Sequence, residues 1–236
     1  VDKLHTFSFW TGFWGATAVF ATAIVMLASC PAVQDGLLWR LERLQSSPTL
    51  SQRIFERRLV GHHLSLDGRV PPASTLFFGD SHIQALPLGG LPSAYNFAIG
   101  GESAQRLALR LSRYTSLPLA GAVVIGTGTN DLFEGRSVAQ TLDAWGEILG
   151  QLPKATKVVC VEIPVNLAVA HAARHEAFNR QLAQLCLQKG HSVVSSPRGD
   201  DTTANIAFSA DGVHLNAAGS QWLMERIEER VLKKVP

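Results

Sequence analysis

The sequence is short of cysteine, of any large excess of one charge sign and, near its start, of charge altogether. Only three cysteines occur in 236 residues. None forms a C-x-x-C pair or joins histidines at ligand spacing, which excludes the sequence patterns of structural zinc. Cys160 falls in an apolar strand-like run and Cys186 in a helical one, so both are expected to be small buried hydrophobes, with no disulfide framework. A net charge of +2 with scattered basic residues excludes the clustered positive footprint of a nucleic-acid binder. Internal repeats and low-complexity tracts are absent as well.

The sharpest shortage is local. Between Leu4 and Gln34 there is no Asp, Glu, Lys or Arg. Phe7 to Val25 is apolar enough to span a hydrocarbon core of about 30 Å, and Trp10 and Trp14 stand near its start, where interfacial aromatics concentrate. An uncleaved transmembrane anchor is the first expectation. A lipoprotein signal peptide is the second, because Leu27-Ala28-Ser29-Cys30 resembles a bacterial lipobox whose cysteine becomes the lipidated N-terminus, although the apolar stretch is long for a signal. A buried helix fits least, since nothing polar is offered for a solvent face. Read literally, Lys3 before the span and Arg40, Arg43 and Arg53 after it place the following domain in the cytoplasm. The signal-like start argues for export. The resulting expectation is an inner-membrane anchor with the catalytic domain facing the periplasm or exterior.

What is present is a core-forming composition, 46% hydrophobic and 17% charged. Residues 1–34 read as anchor or signal, 35–73 as a helical connector and 74–236 as one α/β domain. In the connector, Leu37, Leu38, Leu41 and Leu44 fall at helical spacing, Pro48 interrupts, and Leu50 to Leu59 predicts a second short amphipathic helix. From Thr75 onward the rhythm is strand, loop, helix. Apolar runs at Thr75–Phe78, Ala94–Ile99, Ala122–Ile125, Lys157–Ile163 and His191–Ser195 alternate with helices predicted near 102–114, 137–151, 170–188 and 217–233. Continuous apolar strands of this kind predict a parallel sheet covered on both faces. Ligands of such sheets bind beyond the C-terminal ends of the strands.

Three of those ends carry polar motifs: Gly79-Asp80-Ser81, Gly100-Gly101 and Gly126-Thr127-Gly128-Thr129-Asn130-Asp131. A fourth, Asp211-Gly212-Val213-His214, precedes the last helix. A serine hydroxyl needs an adjacent base to act as a nucleophile at neutral pH, and the base needs a third group to hold its tautomer. An Asp three residues before a His can supply that third group from the same turn. Singly, each motif is an ordinary turn or cap. Together, in order and at one edge of the sheet, they point to serine hydrolase chemistry. The Ser81 N–H, a glycine N–H and the Asn130 amide could then face an oxyanion. His82 reads as a polar first-turn residue, or else as a wall of the acyl site. His171, Arg174 and His175 read as a solvated helix face, with contact to a polar substrate as the alternative. His62-His63 reads as structural or solvated, and Asp200-Asp201 as an acidic loop without partners for a metal.

The four blocks over roughly Ser74 to Lys233 resemble the SGNH hydrolase family, also called GDSL esterases and lipases. Asn96-Phe97-Ala98-Ile99-Gly100-Gly101 with the later Gly128-Thr129-Asn130 is most similar to the branch holding platelet-activating-factor acetylhydrolase subunits and acetyl esterases. The resemblance implies a flavodoxin-like three-layer α/β/α sandwich with strand order 2-1-3-4-5. It implies Ser81 as nucleophile, His214 as general base and then acid, and Asp211 as orienting carboxylate. The oxyanion hole would be Ser81, Gly101 and Asn130, with Gly100 the rival glycine. No cofactor or metal is implied. The expected activity is hydrolysis of an acyl ester on a cell-envelope glycan or lipid. The alternatives are O-acetyl transfer to an exopolysaccharide by the same triad, and a non-catalytic glycan-binding module.

Overall fold

In the computed structural model of this chain, the described residues are 50–166, 171–199, 208–209 and 211–232. The expected anchor or signal segment, Cys30, the first connector helix and the Asp200-Asp201 loop lie outside them. Among the described residues no helix is long and apolar enough to cross a membrane. The chain divides into two units, 1–49 and 50–236, and every described residue belongs to the second.

Five strands, β1 (Thr75–Gly79), β2 (Ala94–Asn96), β3 (Ala122–Gly126), β4 (Lys157–Val161) and β5 (Ser192–Val194), form one parallel sheet in the order β2-β1-β3-β4-β5. The helices are α1 (Leu50–Asp67), α2 (Ser81–Gln84), α3 (Ala104–Leu111), α4 (Thr129–Phe133), α5 (Val138–Gln151), α6 (Ala172–Gln188) and α7 (Ala217–Leu232). Successive strand side chains point to opposite faces, and this splits the core in two. Leu76 and Phe78, Val123 and Ile125, and Val158 and Cys160 enter one apolar cluster, closed by Leu107 of α3, Trp145 and Ile148 of α5, and Phe178 and Leu182 of α6. Phe77, Val124, Val159 and Val161 enter the other, closed by Ile83 of α2 and by Leu223, Met224 and Ile227 of α7. The expected three-layer sandwich and strand order are both present.

Helix starts follow from side-chain caps. Ser103 accepts the Arg106 N–H at the head of α3, and Ser137 with Gln140 forms a capping box on α5. Helix α1 does not stop near Leu59 as predicted but runs to Asp67. Its second half is tied to the domain: His63 Nδ1 lies 3.3 Å from the Tyr114 hydroxyl, and the Asp67 carboxylate accepts N–H and hydroxyl bonds from Thr115 and Ser116 at 2.5–3.2 Å. The polar His62-His63 pair hides this stretch from a periodicity reading.

The cysteines also depart from expectation. Cys160 of β4 and Cys186 of α6 are joined by a disulfide with Cα atoms 6.6 Å apart. Each does lie on an apolar face, as the sequence implies, but the two faces are pressed together in the first cluster. Sequence spacing carries no sign of that meeting.

Candidate active site

All of the polar motifs at strand ends converge on one edge of the sheet. β1 and β3 are paired to their last residues, Gly79 opposite Gly126. A Cβ at Gly79 would overlap the Gly126 carbonyl oxygen, so only glycine permits this close approach. Asp80 then caps α2, its carboxylate accepting the His82 N–H at 3.0 Å, and Ser81 opens the helix. Asn96 fixes the neighbouring strand end: its amide donates to the Ile83 carbonyl at 2.9 Å while its oxygen accepts the Ala98 N–H at 3.0 Å.

The Asp211–His214 loop reaches the same edge, and Leu215 just after it joins the apolar cluster that holds Ile83 of α2. Ser209 N–H donates to the His214 carbonyl at 2.7 Å, Gly212 N–H to the Ser209 carbonyl at 2.9 Å, and Asn166 donates to the Gly212 carbonyl at 2.9 Å. So held, the loop brings His214 Nε2 to 2.9 Å from Ser81 Oγ and His214 Nδ1 to 2.6 Å from Asp211 Oδ2. Asp211 Oδ1 accepts the backbone N–H groups of Val213 and His214, each at 2.9 Å. Burial alone raises the Asp211 carboxyl, but the His214 ring and those two N–H groups outweigh it and hold it below its usual value. The side chains of His214 and Asp211 are 48% and 43% exposed, so solvent screens their attraction and the pair acts through orientation more than through energy.

The two candidate glycines differ. Gly100 N–H is taken by Gln84 Oε1 at 2.9 Å, whereas Gly101, with φ of +79°, donates to no acceptor among the described residues. Ser81 N–H is likewise without an acceptor among them. Asn130 Nδ2 donates to the Glu102 carbonyl at 3.1 Å, which fixes the amide plane and leaves its second hydrogen available. Sequence reasoning missed Gln84 and Glu102, whose side-chain and carbonyl oxygens set these orientations; nothing in the sequence marks either.

Two histidines lie deeper than their polarity suggests. His82 does stand in the first turn of α2, but it is buried: its ring centroid is 5.5 Å from that of His214, and its Nδ1 has no hydrogen-bond partner among the described residues. Burial, reinforced by His214, lowers its pKa to about 3. His175 is not on a solvated face either. It is buried against Phe133 and His171, at centroid distances of 5.7 and 4.8 Å, and burial lowers its pKa to about 4. Both border the site from within. Arg174 is tied to the carbonyls of Leu132 and Arg136.

A pH dependence follows. His82 stays neutral in the fold down to about pH 3, whereas in the unfolded chain it binds a proton near 6.5. The unfolded state therefore binds more protons between those values, and stability is lost as pH falls through that window. The Asp80 carboxyl, which burial raises to about 7, works in the opposite sense and masks part of this in the wild type. The difference between wild type and His82→Leu isolates the histidine. Urea denaturation is expected to show the variant gaining about 3 kcal/mol on wild type between pH 7 and pH 4. A pH-independent difference would rule out a buried neutral His82.

The sequence profile of the GDSL-like lipase/acylhydrolase family matches residues 75–222. No curated protein matches the chain in sequence. Solved structures do. A protein from Streptococcus pneumonia described as a putative platelet activating factor superposes with a TM-score of 0.64 at 20% identity, covering 85% of this chain and 98% of its own. A GDSL-like lipase from Bacteroides thetaiotaomicron gives 0.60 at 15% identity, with 73% and 96% covered. The acetylxylan esterase Axe2 from Geobacillus stearothermophilus gives 0.58 at 11% identity, with 70% and 97% covered. At these identities the structures speak to the fold, and the profile, spanning more than half the chain, speaks to descent. The chain belongs to the GDSL-like lipase/acylhydrolase family and is an esterase of the SGNH type.

Proposed function

We propose that this esterase works through Ser81, His214 and Asp211 on short acyl esters of a cell-envelope glycan or lipid. The observation that carries the reading is the unbroken line from Ser81 Oγ to His214 Nε2 at 2.9 Å and from His214 Nδ1 to Asp211 at 2.6 Å. His214 Nε2 accepts the Ser81 proton as Oγ attacks the ester carbonyl. The negative charge that develops on the carbonyl oxygen is met by the N–H groups of Ser81 and Gly101 and by the Asn130 amide. Collapse of the tetrahedral species expels the alcohol, which His214 protonates. A water molecule, deprotonated by the same imidazole, then releases the acid and restores Ser81.

The compartment is part of the proposal. The Cys160–Cys186 disulfide supports an oxidising environment, since such bonds persist outside the reducing cytosol. That favours a catalytic domain held at the outer face of the membrane by the uncharged N-terminal segment.

A fluorophosphonate serine probe tests both parts. Wild type is expected to label, and Ser81→Ala to lose labelling and esterase activity together. A membrane-impermeant form of the probe, applied to intact cells stripped of their outer wall layers, is expected to label the enzyme equally well. Equal labelling of wild type and Ser81→Ala would overturn the catalytic assignment. Labelling only after lysis would overturn the external location.

A further inference from the structure

Two arginines one turn apart on α3 grip the turn that carries Gly101, one proposed oxyanion donor, and that holds a second, the Asn130 amide of α4. Residues four apart on a helix share a face, so Arg106 and Arg110 reach the same segment. Arg110 is buried and donates from Nε and Nη2 to the two Glu102 carboxylate oxygens at 2.5 and 2.7 Å. It also donates from Nη2 to the Phe97 carbonyl at 2.8 Å and from Nη1 to the Tyr114 hydroxyl at 2.5 Å. Arg106 donates to the Gly101 carbonyl and is flanked by Glu134 at 2.8 Å and by Glu56 of α1 at 3.5 Å. Glu102 therefore has its side chain locked by Arg110, while its carbonyl accepts the Asn130 amide at 3.1 Å and the Thr127 hydroxyl at 3.4 Å.

We infer that Glu102, Arg106 and Arg110 are positioning residues that set the Gly101 N–H and the Asn130 amide to face the developing oxyanion. The inference rests on the reading of those two groups as oxyanion donors. Folding alone does not call for this device. A buried ion pair is weak evidence of net stabilisation, because desolvation of two charges offsets most of their attraction. What the pair supplies is direction. A planar guanidinium bonded at two points to a planar carboxylate fixes both in one orientation, and the residue so fixed is the one whose main chain holds Asn130 and adjoins Gly101. Arg106 adds a second point of attachment, one peptide earlier. Through Glu56, the clamp also draws α1, which lies before the family-matched region, into the structure of the site.

Removing one member of the buried pair strands the other charge and threatens folding. The decisive variant is therefore the double substitution Glu102→Gln with Arg110→Met, which removes both charges together. Arg106→Met, at a half-buried position, gives an independent second test. With 4-nitrophenyl acetate as substrate, each folded variant is expected to lose about 10- to 100-fold in kcat with KM changed less than about twofold, the scale of rate lost to a small misplacement of catalytic groups. The Tm of the Arg106 variant is expected to stay near that of wild type, so its loss cannot be assigned to unfolding. Wild-type kcat in folded variants, or a loss seen only in KM, would overturn the inference. Asn130→Ala separates the two levels: if it loses kcat while the clamp variants keep theirs, only the clamp is wrong. If Asn130→Ala also keeps its kcat, the oxyanion reading beneath it fails.

Discussion

Replacing Asp211 with Asn is expected to lower kcat by about 10,000-fold while leaving the fold and the position of His214 unchanged. The size of the effect follows from how the carboxylate is divided. Oδ1 accepts two backbone N–H groups at 2.9 Å, from Val213 and His214, so an asparagine side chain must place its oxygen there. Its NH2 group then occupies the Oδ2 position, 2.6 Å from His214 Nδ1. A donor at that point forces Nδ1 to be the lone-pair nitrogen and puts the ring proton on Nε2. Nε2 faces Ser81 Oγ at 2.9 Å and can no longer accept the serine proton. The ring stays in place with the wrong tautomer. Steady-state kinetics together with an NMR reading of the imidazole tautomer checks this. A variant retaining more than about a tenth of wild-type kcat would exclude the orienting role.

The same loop shows what is legible in the sequence and what is not. Asp211 and His214 can be paired from spacing alone, because three residues of one turn bring a carboxylate beside an imidazole whatever surrounds them. Ser81, Gly101 and Asn130 can be gathered because each follows an apolar run, and the C-terminal ends of parallel strands share one edge. Strand order comes from resemblance; the period-two split of Leu76 and Phe78 from Phe77 shows why two helical layers are needed. What escapes are contacts made between elements. Gln84 reaching Gly100, Glu102 holding Asn130, and Cys160 meeting Cys186 depend on which faces are pressed together, and local pattern does not encode that. His82 and His175 escape for a related reason. A polar side chain in a helix suggests solvent unless the layer packed over it is known, and here that layer buries both.

Asn130→Ala is expected to lower kcat by about 100- to 1,000-fold with little change in KM, the usual effect of losing one oxyanion donor. The amide is oriented in advance, because Glu102 takes one of its hydrogens at 3.1 Å and thereby fixes the direction of the other before substrate arrives. A donor that needs no reorganisation stabilises the tetrahedral oxyanion more than the ground-state carbonyl, and only that difference appears in kcat. Alanine also deprives the Glu102 carbonyl of a bond, leaving it the Thr127 hydroxyl at 3.4 Å, so relaxation of the turn is a competing source of loss. Phosphonylation of Ser81 distinguishes them. Attack on a fluorophosphonate develops charge on an oxygen in the same place, so its rate is expected to fall in parallel with kcat. Asn130→Asp, which keeps the shape and loses the donor, should fall at least as far, because its carboxylate repels both the Glu102 carbonyl and the oxyanion. A fall in kcat with an unchanged labelling rate in either variant would remove Asn130 from the oxyanion hole and leave it as a brace for the turn.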